Sequence, residues 1–207
     1  MIPLLLALTL LAGPPEFTLA RVQYSGGGDW YNDPEILPNL ARELRNRLGV
    51  PVDTVQQVVS LADPALFQYP FLFLTGHGNL RLSDQEIQNL RRYLDHGGFL
   101  YADDDYGMDQ AFRREIRRVF PDAELRELPP DHPLFHVVYD LRLPKIHEHY
   151  PGPPRAYGIF RGGRLVVLYT YNTNISDGWT PRHKDPPEKR EQAFKMGVNI
   201  VAYALLY

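Results

Sequence analysis

From residue 17 onward the apolar positions switch between short strand-like runs and stretches at helical spacing, and that alternation predicts an α/β domain. Residues 17–24 alternate as a strand. Residues 34–48 follow at helical spacing, with Asp33 as N-cap, Pro34 in the first turn and Gly49 at the stop. Residues 52–59 read as a second strand, and Asp63-Pro64 opens a short helical turn. Residues 71–75 are continuously apolar, as expected of a strand covered on both faces of a parallel sheet.

The sharpest boundaries belong to a helix over residues 84–96. Ser83 and Glu86 form a capping box, Ile87, Leu90 and Leu94 make the apolar stripe, and Gly97-Gly98 ends it. Residues 99–102 are the next strand. A helix over residues 109–120 places Phe112, Ile116, Val119 and Phe120 on one face and Arg113, Arg114, Arg117 and Arg118 on the other, which reads as a solvated face. Residues 156–169 read as a hairpin about Gly162-Gly163. A proline-rich charged loop over residues 181–187 leads into a last helix with Phe194, Gly197, Val198 and Val201 on one face. This order predicts a three-layer sandwich around a mostly parallel sheet, with the late hairpin at one edge.

Residues 2–12 stand apart, apolar except for Pro3 and Thr9 and followed by Gly13-Pro14-Pro15. The run is too short to cross a bilayer and has the form of a secretory leader. Cleavage near residue 13 would leave residues 14–207 as a single exported, periplasmic domain. No Lys or Arg precedes the run, and a buried first strand or a misassigned start codon are the competing readings.

Composition narrows the chemistry. The 207 residues, 44% hydrophobic, suffice for one sizeable core. With 22 basic against 25 acidic side chains and a formal charge of -3, no phosphate-seeking surface is indicated, and nucleic acid is not expected as a partner. The absence of cysteine excludes thiol nucleophiles, disulfides and cysteine-ligated metals.

In an open α/β sheet, ligands bind where strands end at their carboxyl side. Three loops qualify: residues 25–33, Thr75-Gly76-His77-Gly78-Asn79, and Ala102-Asp103-Asp104-Asp105-Tyr106-Gly107. The glycines around His77 let the backbone approach a ligand, although the spacing is not that of a dinucleotide fingerprint. Asp103, Asp104 and Asp105 repel one another unless solvated, hydrogen-bonded or neutralised by a cation. If the strand direction persists, Asp103 and Asp105 share a face. They can serve as a hard-cation site, an acid–base pair or acceptors for hydroxyl groups, or simply cap a helix.

His132 and His136 flank Pro133-Leu134-Phe135, and His147 and His149 project to one side of an extended segment. His147 and His149, with Asp103 and Asp105, are therefore candidate ligands of a divalent metal; surface histidines on a proline-bounded loop are the alternative. No His-Glu-x-x-His helix occurs, so a zincin mechanism has no support. Trp30, Tyr31, Tyr106, Tyr150, Tyr171 and Trp179 fall in predicted loops, near Asn172, Asn174 and Asp177. Rings beside carboxylates and amides suit a sugar-like ligand, and core packing is the competing role.

The stretches Gly28-Asp29-Trp30, Gly76-His77-Gly78, Gly97-Gly98-Phe99-Leu100-Tyr101-Ala102-Asp103-Asp104, Asp131-His132-Pro133-Leu134-Phe135 and Gly197-Val198-Asn199-Ile200 carry a resemblance. The sequence resembles a bacterial family of unknown function whose domains occur as small exported proteins and within aerotolerance-type membrane proteins. The resemblance implies a flavodoxin-like sheet of the class I glutamine amidotransferase-like superfamily, distantly similar to trehalose-utilisation proteins. An active amidotransferase holds its cysteine on a tight strand-to-helix elbow, and by that comparison Asp105 falls about where the thiol would be.

The expected function is binding of a small polar ligand, carbohydrate among the candidates, by His77, Asp103, Asp104, Asp105, Tyr106, Trp30 and His132. A metal-dependent or Asp/His acid–base hydrolase and a protein-interaction module are the alternatives. A membrane protein of the envelope is the partner the resemblance implies.

Overall fold

The computed structural model describes residues 17–147 and 149–207. The apolar run at residues 2–12, read above as a leader, lies outside the described residues. Among the described residues no helix is long and apolar enough to cross a membrane.

Among the described residues, seven strands form one mixed sheet: β1 (Leu19–Gln23), β2 (Gln57–Ser60), β3 (Phe71–Gly76), β4 (Phe99–Asp104), β5 (Arg126–Glu127), β6 (Arg155–Arg161) and β7 (Arg164–Tyr171). Four α-helices of the same residues pack on it: α1 (Ile36–Leu48), α2 (Asp84–Asp95), α3 (Asp109–Val119) and α4 (Pro187–Leu206). The strand order is β2-β1-β3-β4-β7-β6-β5. The pairs β2/β1, β1/β3, β3/β4 and β4/β7 are parallel, while β6 runs antiparallel to both β5 and β7. The chain winds outward from β1 in both directions, so the loops after β1 and β3 leave the sheet where its order reverses.

The period-two pattern divides the core. Leu19, Phe71, Phe73, Phe99 and Tyr101 face α1 and α4, meeting Leu37, Leu40, Met196 and Val201. Ala20, Val22, Leu72, Leu74, Leu100 and Ala102 face α2 and α3, meeting Ile87, Leu90, Phe112 and Ile116. The result is a three-layer α/β fold. Ser83 and Glu86 close the capping box of α2, and Gly49 ends α1 with a φ of 66° while its N–H donates to Arg45 O at 2.9 Å.

Several local expectations are corrected. The first helix begins at Ile36: Asp33 takes a φ of 39° and its carboxylate pairs with His183, while Glu35 stands at the cap position without a side-chain capping bond. The expected second strand shrinks to Gln57–Ser60, with Val52 making only an isolated bridge to Phe17. The third and fourth strands run on through Gly76 and Asp104, so two of the three aspartates belong to β4 itself. The arginine face of α3 is not simply solvated. Arg114 and Arg118 clamp the buried Glu115 at 2.7 and 2.6 Å, and Glu115 also accepts the Leu82 N–H. Glu115 is held below its ordinary carboxylate range: burial opposes the shift, and the two arginine hydrogen bonds outweigh it.

Candidate functional site

Four loops meet at the carboxyl ends of the parallel strands, following β1, β3, β4 and β7. The β1 loop is shaped from below by Arg21, a guanidinium only 1% exposed. It donates to the backbone carbonyls of Trp30 at 2.9 Å, Asp33 at 3.1 Å and Asn32. Burial lowers its pKa to about 10, against the pull of Asp33 and Glu35. The β3 loop is docked onto this frame. Asp29 Oδ1 accepts the backbone N–H of His77 at 2.6 Å, and the Gly28 N–H donates to Asn79 O at 2.8 Å. Gly76 is obligatory here, since its φ is 142° and a Cβ would lie 2.2 Å from the Tyr24 hydroxyl oxygen.

The three adjacent aspartates divide their work. Asp103 is wholly buried, with Oδ1 accepting from Thr170 Oγ1 at 2.5 Å and Oδ2 from the Ser176 N–H at 2.7 Å. It thereby ties β4 to the short 3-10 turn Ile175–Trp179 that follows β7. Asp104 points to the other face, where Oδ1 accepts the Met108 N–H at 3.0 Å ahead of α3 while Oδ2 is buried without a partner among the described residues. Burial pushes both carboxyls up to about 6, the hydrogen bonds to each opposing the shift. Asp105, 4% exposed, lies at the end of β4 and accepts from Asn32 Nδ2 and from Asn174 Nδ2, the latter at 2.5 Å. His77 Nδ1 stands 3.4 Å from Asp105 Oδ2 and 3.0 Å from Asp29 Oδ2.

That pair shares a proton-binding environment. Burial, and then Asp177, raise the Asp105 carboxyl against the opposing effect of His77. Burial lowers His77, but the carboxylates of Asp105 and Asp29 outweigh it and hold the imidazole above its ordinary value. Two backbones at this point take the left-handed region: Tyr106 at a φ of 82° and Gly107 at 85°. The sharp turn therefore falls one residue past Asp105.

The loop after β7 supplies a second cluster. Asn174, at a φ of 54°, donates the same Nδ2 to Asp105 Oδ1 and to Asp177 Oδ2 at 2.6 Å, so one amide links two carboxylates. His147 lies against this segment because its backbone N–H donates to Thr173 O at 2.7 Å. Its Nδ1 is 2.8 Å from Asp177 Oδ2 and its Nε2 is 3.0 Å from Asp185 Oδ2. His183 Nε2 is 3.5 Å from Asp177 Oδ1 and 2.9 Å from Asp33 Oδ2. One ligand-capable atom from each of His147, Asp177 and His183 lies within 4.8 Å of the other two. The hydrogen bond to Asp177 raises the His147 pKa, and Asp185 adds to it over the opposing effect of burial.

Aromatic side chains border the same end of the sheet. The ring of Tyr106, 50% exposed, stacks on Tyr150 with centroids 5.6 Å apart and planes at 25°. Tyr150 in turn stacks on Tyr171 at 5.9 Å. His149 packs its ring 5.3 Å from that of Tyr106 and leaves a buried Nε2 without a partner among the described residues. Burial, and then the neighbouring His147, lower its pKa. Trp30 is half-buried and meets Tyr31 edge-on at 5.5 Å. Trp179 is not in the cleft: it is fully buried, packed on Phe73 and Tyr101, with Nε1 donating to Ala193 O at 2.9 Å.

A family model for a domain of unknown function, DUF4159, matches residues 18–205. The chain belongs to that family. No curated protein matches it. With no cysteine in the sequence, this DUF4159 domain has no thiol nucleophile.

Of the residues singled out from sequence, the structure gathers His77, Asp105, Tyr106 and Trp30 at the strand ends, with His147 and His149 on the β7 side of the same region. Asp103 and Asp104 lie beneath them, turned into the sheet-to-helix packing. His132 stands elsewhere, its Nδ1 accepting the Leu134 N–H at 3.3 Å and its ring against Phe160 and Tyr203. The sequence presents Asp33 only as a helix cap and Asp29 only within a stretch of resemblance, and it does not mark His183 or Asp185 as site residues. His183 and Asp185 sit in the proline-rich loop, and their signal was the strand-end position of the segment after β7, which the sequence presented only as the second arm of a hairpin.

Proposed function

We propose that the strand-end cleft of this domain binds a small polyhydroxylated ligand, a sugar or sugar-like molecule. Asp29, His77 and Asp105 hold its hydroxyl groups, and Tyr106 with Tyr150 covers an apolar C–H face. The observation that carries this reading is the half-exposed Tyr106 ring, stacked on Tyr150, on the residue next to a carboxylate that is paired with His77. Rings supply apolar contact while carboxylate and imidazole donate and accept, the combination a polyol demands. The flavodoxin-like strand order and the sequence resemblance support placement among amidotransferase-like folds, with a binding cleft in place of thiol chemistry.

Saturation-transfer NMR with glucose, galactose, glucosamine and maltose tests the reading. Transfer to ring protons that is lost in Tyr106→Ala and in Asp105→Asn is the expected result. No transfer to any of the four sugars, or transfer that both variants leave intact, refutes it.

A second reading, acid–base hydrolysis, is favoured by one feature: Asp105 is raised beside an imidazole that is also raised, an arrangement able to give and accept a proton near neutral pH. We also propose export of the domain, on the apolar run at residues 2–12. An intact Met1 on natively expressed, cytoplasmic protein would overturn it.

A further inference from the structure

We infer that His147, Asp177 and His183 form a binding site for a divalent transition-metal ion, with Asp185 orienting His147 from behind. The donors come from three separate places in the chain: the segment before β6, the 3-10 turn after β7, and the proline-rich loop before α4. Nothing local in the sequence requires them to meet.

Two of the contacts have the length of a coordination-shell edge, and the three donors lie within 4.8 Å of one another. Donors about 2.0–2.2 Å from one ion lie roughly 2.8–3.6 Å from one another along the edges of a tetrahedron or octahedron. His147 Nδ1 to Asp177 Oδ2 is 2.8 Å and Asp177 Oδ1 to His183 Nε2 is 3.5 Å. Asp33 Oδ2, 2.9 Å from His183 Nε2, borders this group without joining it, and holds the His183 ring from outside. Asp177 presents one oxygen to each imidazole, so a small rotation of its carboxylate turns either oxygen toward an ion between the rings.

The outer contact is as informative as the inner ones. A metal-bound histidine ordinarily donates its second ring N–H to a carboxylate or carbonyl, which fixes the tautomer and the ring plane. His147 has that partner in Asp185, 3.0 Å from Nε2. The competing account is a plain ion pair, in which a protonated His147 bridges Asp177 and Asp185. Arg182, whose Nε is 3.6 Å from Asp33 Oδ1, offsets one of the three carboxylates of Asp33, Asp177 and Asp185, so it is the convergence of both rings on Asp177, and not an excess of charge, that favours an ion. Access is open on the His183 side, where the imidazole is exposed.

The donor set selects the metal class. Two imidazole nitrogens with one carboxylate suit Zn2+, Co2+ or Mn2+ and give little to Mg2+ or Ca2+, which favour all-oxygen shells. The bound ion would lie across Asn174 from Asp105, beside the cleft proposed above, although this inference does not depend on what the cleft binds.

The test uses the whole purified chain after chelator treatment. Titration calorimetry with ZnCl2 and visible absorption with CoCl2 should report one ion per chain, with weak or no heat from MgCl2. Asp177→Asn and His147→Ala should abolish the Co2+ bands, and Asp185→Asn should weaken Zn2+ binding by roughly 10- to 100-fold. His183→Gln, at an exposed position, keeps the test decisive if His147→Ala does not fold, with folding read by circular dichroism. Zn2+ binding that is absent, or unchanged in Asp177→Asn and His183→Gln, or matched by Mg2+, overturns the assignment. Sugar binding is read separately, so loss of one leaves the other standing.

Discussion

Replacing Asp104 with asparagine should make the domain more stable at neutral pH and leave it unchanged in mild acid. The side chain has no exposed surface, Oδ1 accepts the Met108 N–H, and Oδ2 is buried with no partner among the described residues. Burial raises its pKa from 3.8 to about 6, Asp109 and Asp103 add to the shift, and Arg113 opposes it. A carboxyl whose pKa is higher folded than unfolded binds its proton more tightly in the native state. Its favourable contribution is therefore complete below about pH 4 and is lost as the pH rises to about 6. A shift of about 2 units corresponds to roughly 3 kcal/mol at the upper end of that window, an upper bound if the site relaxes on ionisation. Asparagine retains an oxygen for the Met108 N–H and cannot ionise. Urea unfolding followed by tryptophan fluorescence, at steps from about pH 4 to about pH 7.5, gives the difference between variant and parent. It should start near zero and grow by about 1–3 kcal/mol in favour of the variant, with m unchanged. A difference independent of pH, or one that grows in favour of the parent, would refute the reasoning and place the unpartnered oxygen in contact with solvent.

Two further substitutions probe the supports of the site. Arg21→Met keeps much of the buried volume but strips the donors from the carbonyls of Trp30, Asn32 and Asp33; it should cost about 2–4 kcal/mol and speed amide exchange at residues 30–33, and unchanged exchange there would count against Arg21 as the organiser of the β1 loop. Gly197→Ala sets helix propensity against packing: alanine gains up to about 1 kcal/mol in α4, but its Cβ would lie 2.7 Å from both Leu40 Cδ1 and Trp179 Cζ2, so a net loss of about 1–2 kcal/mol is expected in the same unfolding assay, and a stabilised variant would mean that α4 shifts freely over α1.

How far the sequence speaks for the structure depends on the range of each signal. Helix α2 is legible because its capping box, stripe and terminal glycines lie within sixteen residues, and β3 because both its faces are apolar. The β6–β7 turn at Gly162-Gly163 is likewise local, and both glycines take positive φ. Where the reading of α1 departs from the structure, the cause is distant: Arg21 draws the carbonyls of Asn32 and Asp33 inward, and Asp33 pairs with His183, 150 residues away. β5, two residues long, is defined only by its pairing to β6 and has no pattern of its own.

The same limit explains the two halves of the strand-end cluster. His77 and Asp105 could be placed from sequence because each follows an apolar strand whose direction is set by the helix after it, and the strand-end rule then applies. The β7 end could not. A hairpin fixes the direction of its second arm relative to the first, but not relative to the sheet, and only the parallel register of β4 with β7, Ala102 opposite Tyr169 and Asp103 opposite Thr170, brings the loop after β7 to the same end of the sheet as the loops after β1, β3 and β4. Once that register is known, the residues after β7 become interpretable. Asn172 and Asn174 occupy left-handed backbone, which asparagine tolerates better than most residues. Asn174 then fixes Asp177 beside Asp105, and the Ser176 N–H bond to Asp103 holds the turn to β4. Asp103 thus acts on the site from beneath, by fixing where Asp177 stands rather than by meeting a ligand. An aspartate that reads in sequence as one member of an exposed acidic turn is, in three dimensions, the post on which the second cluster is mounted.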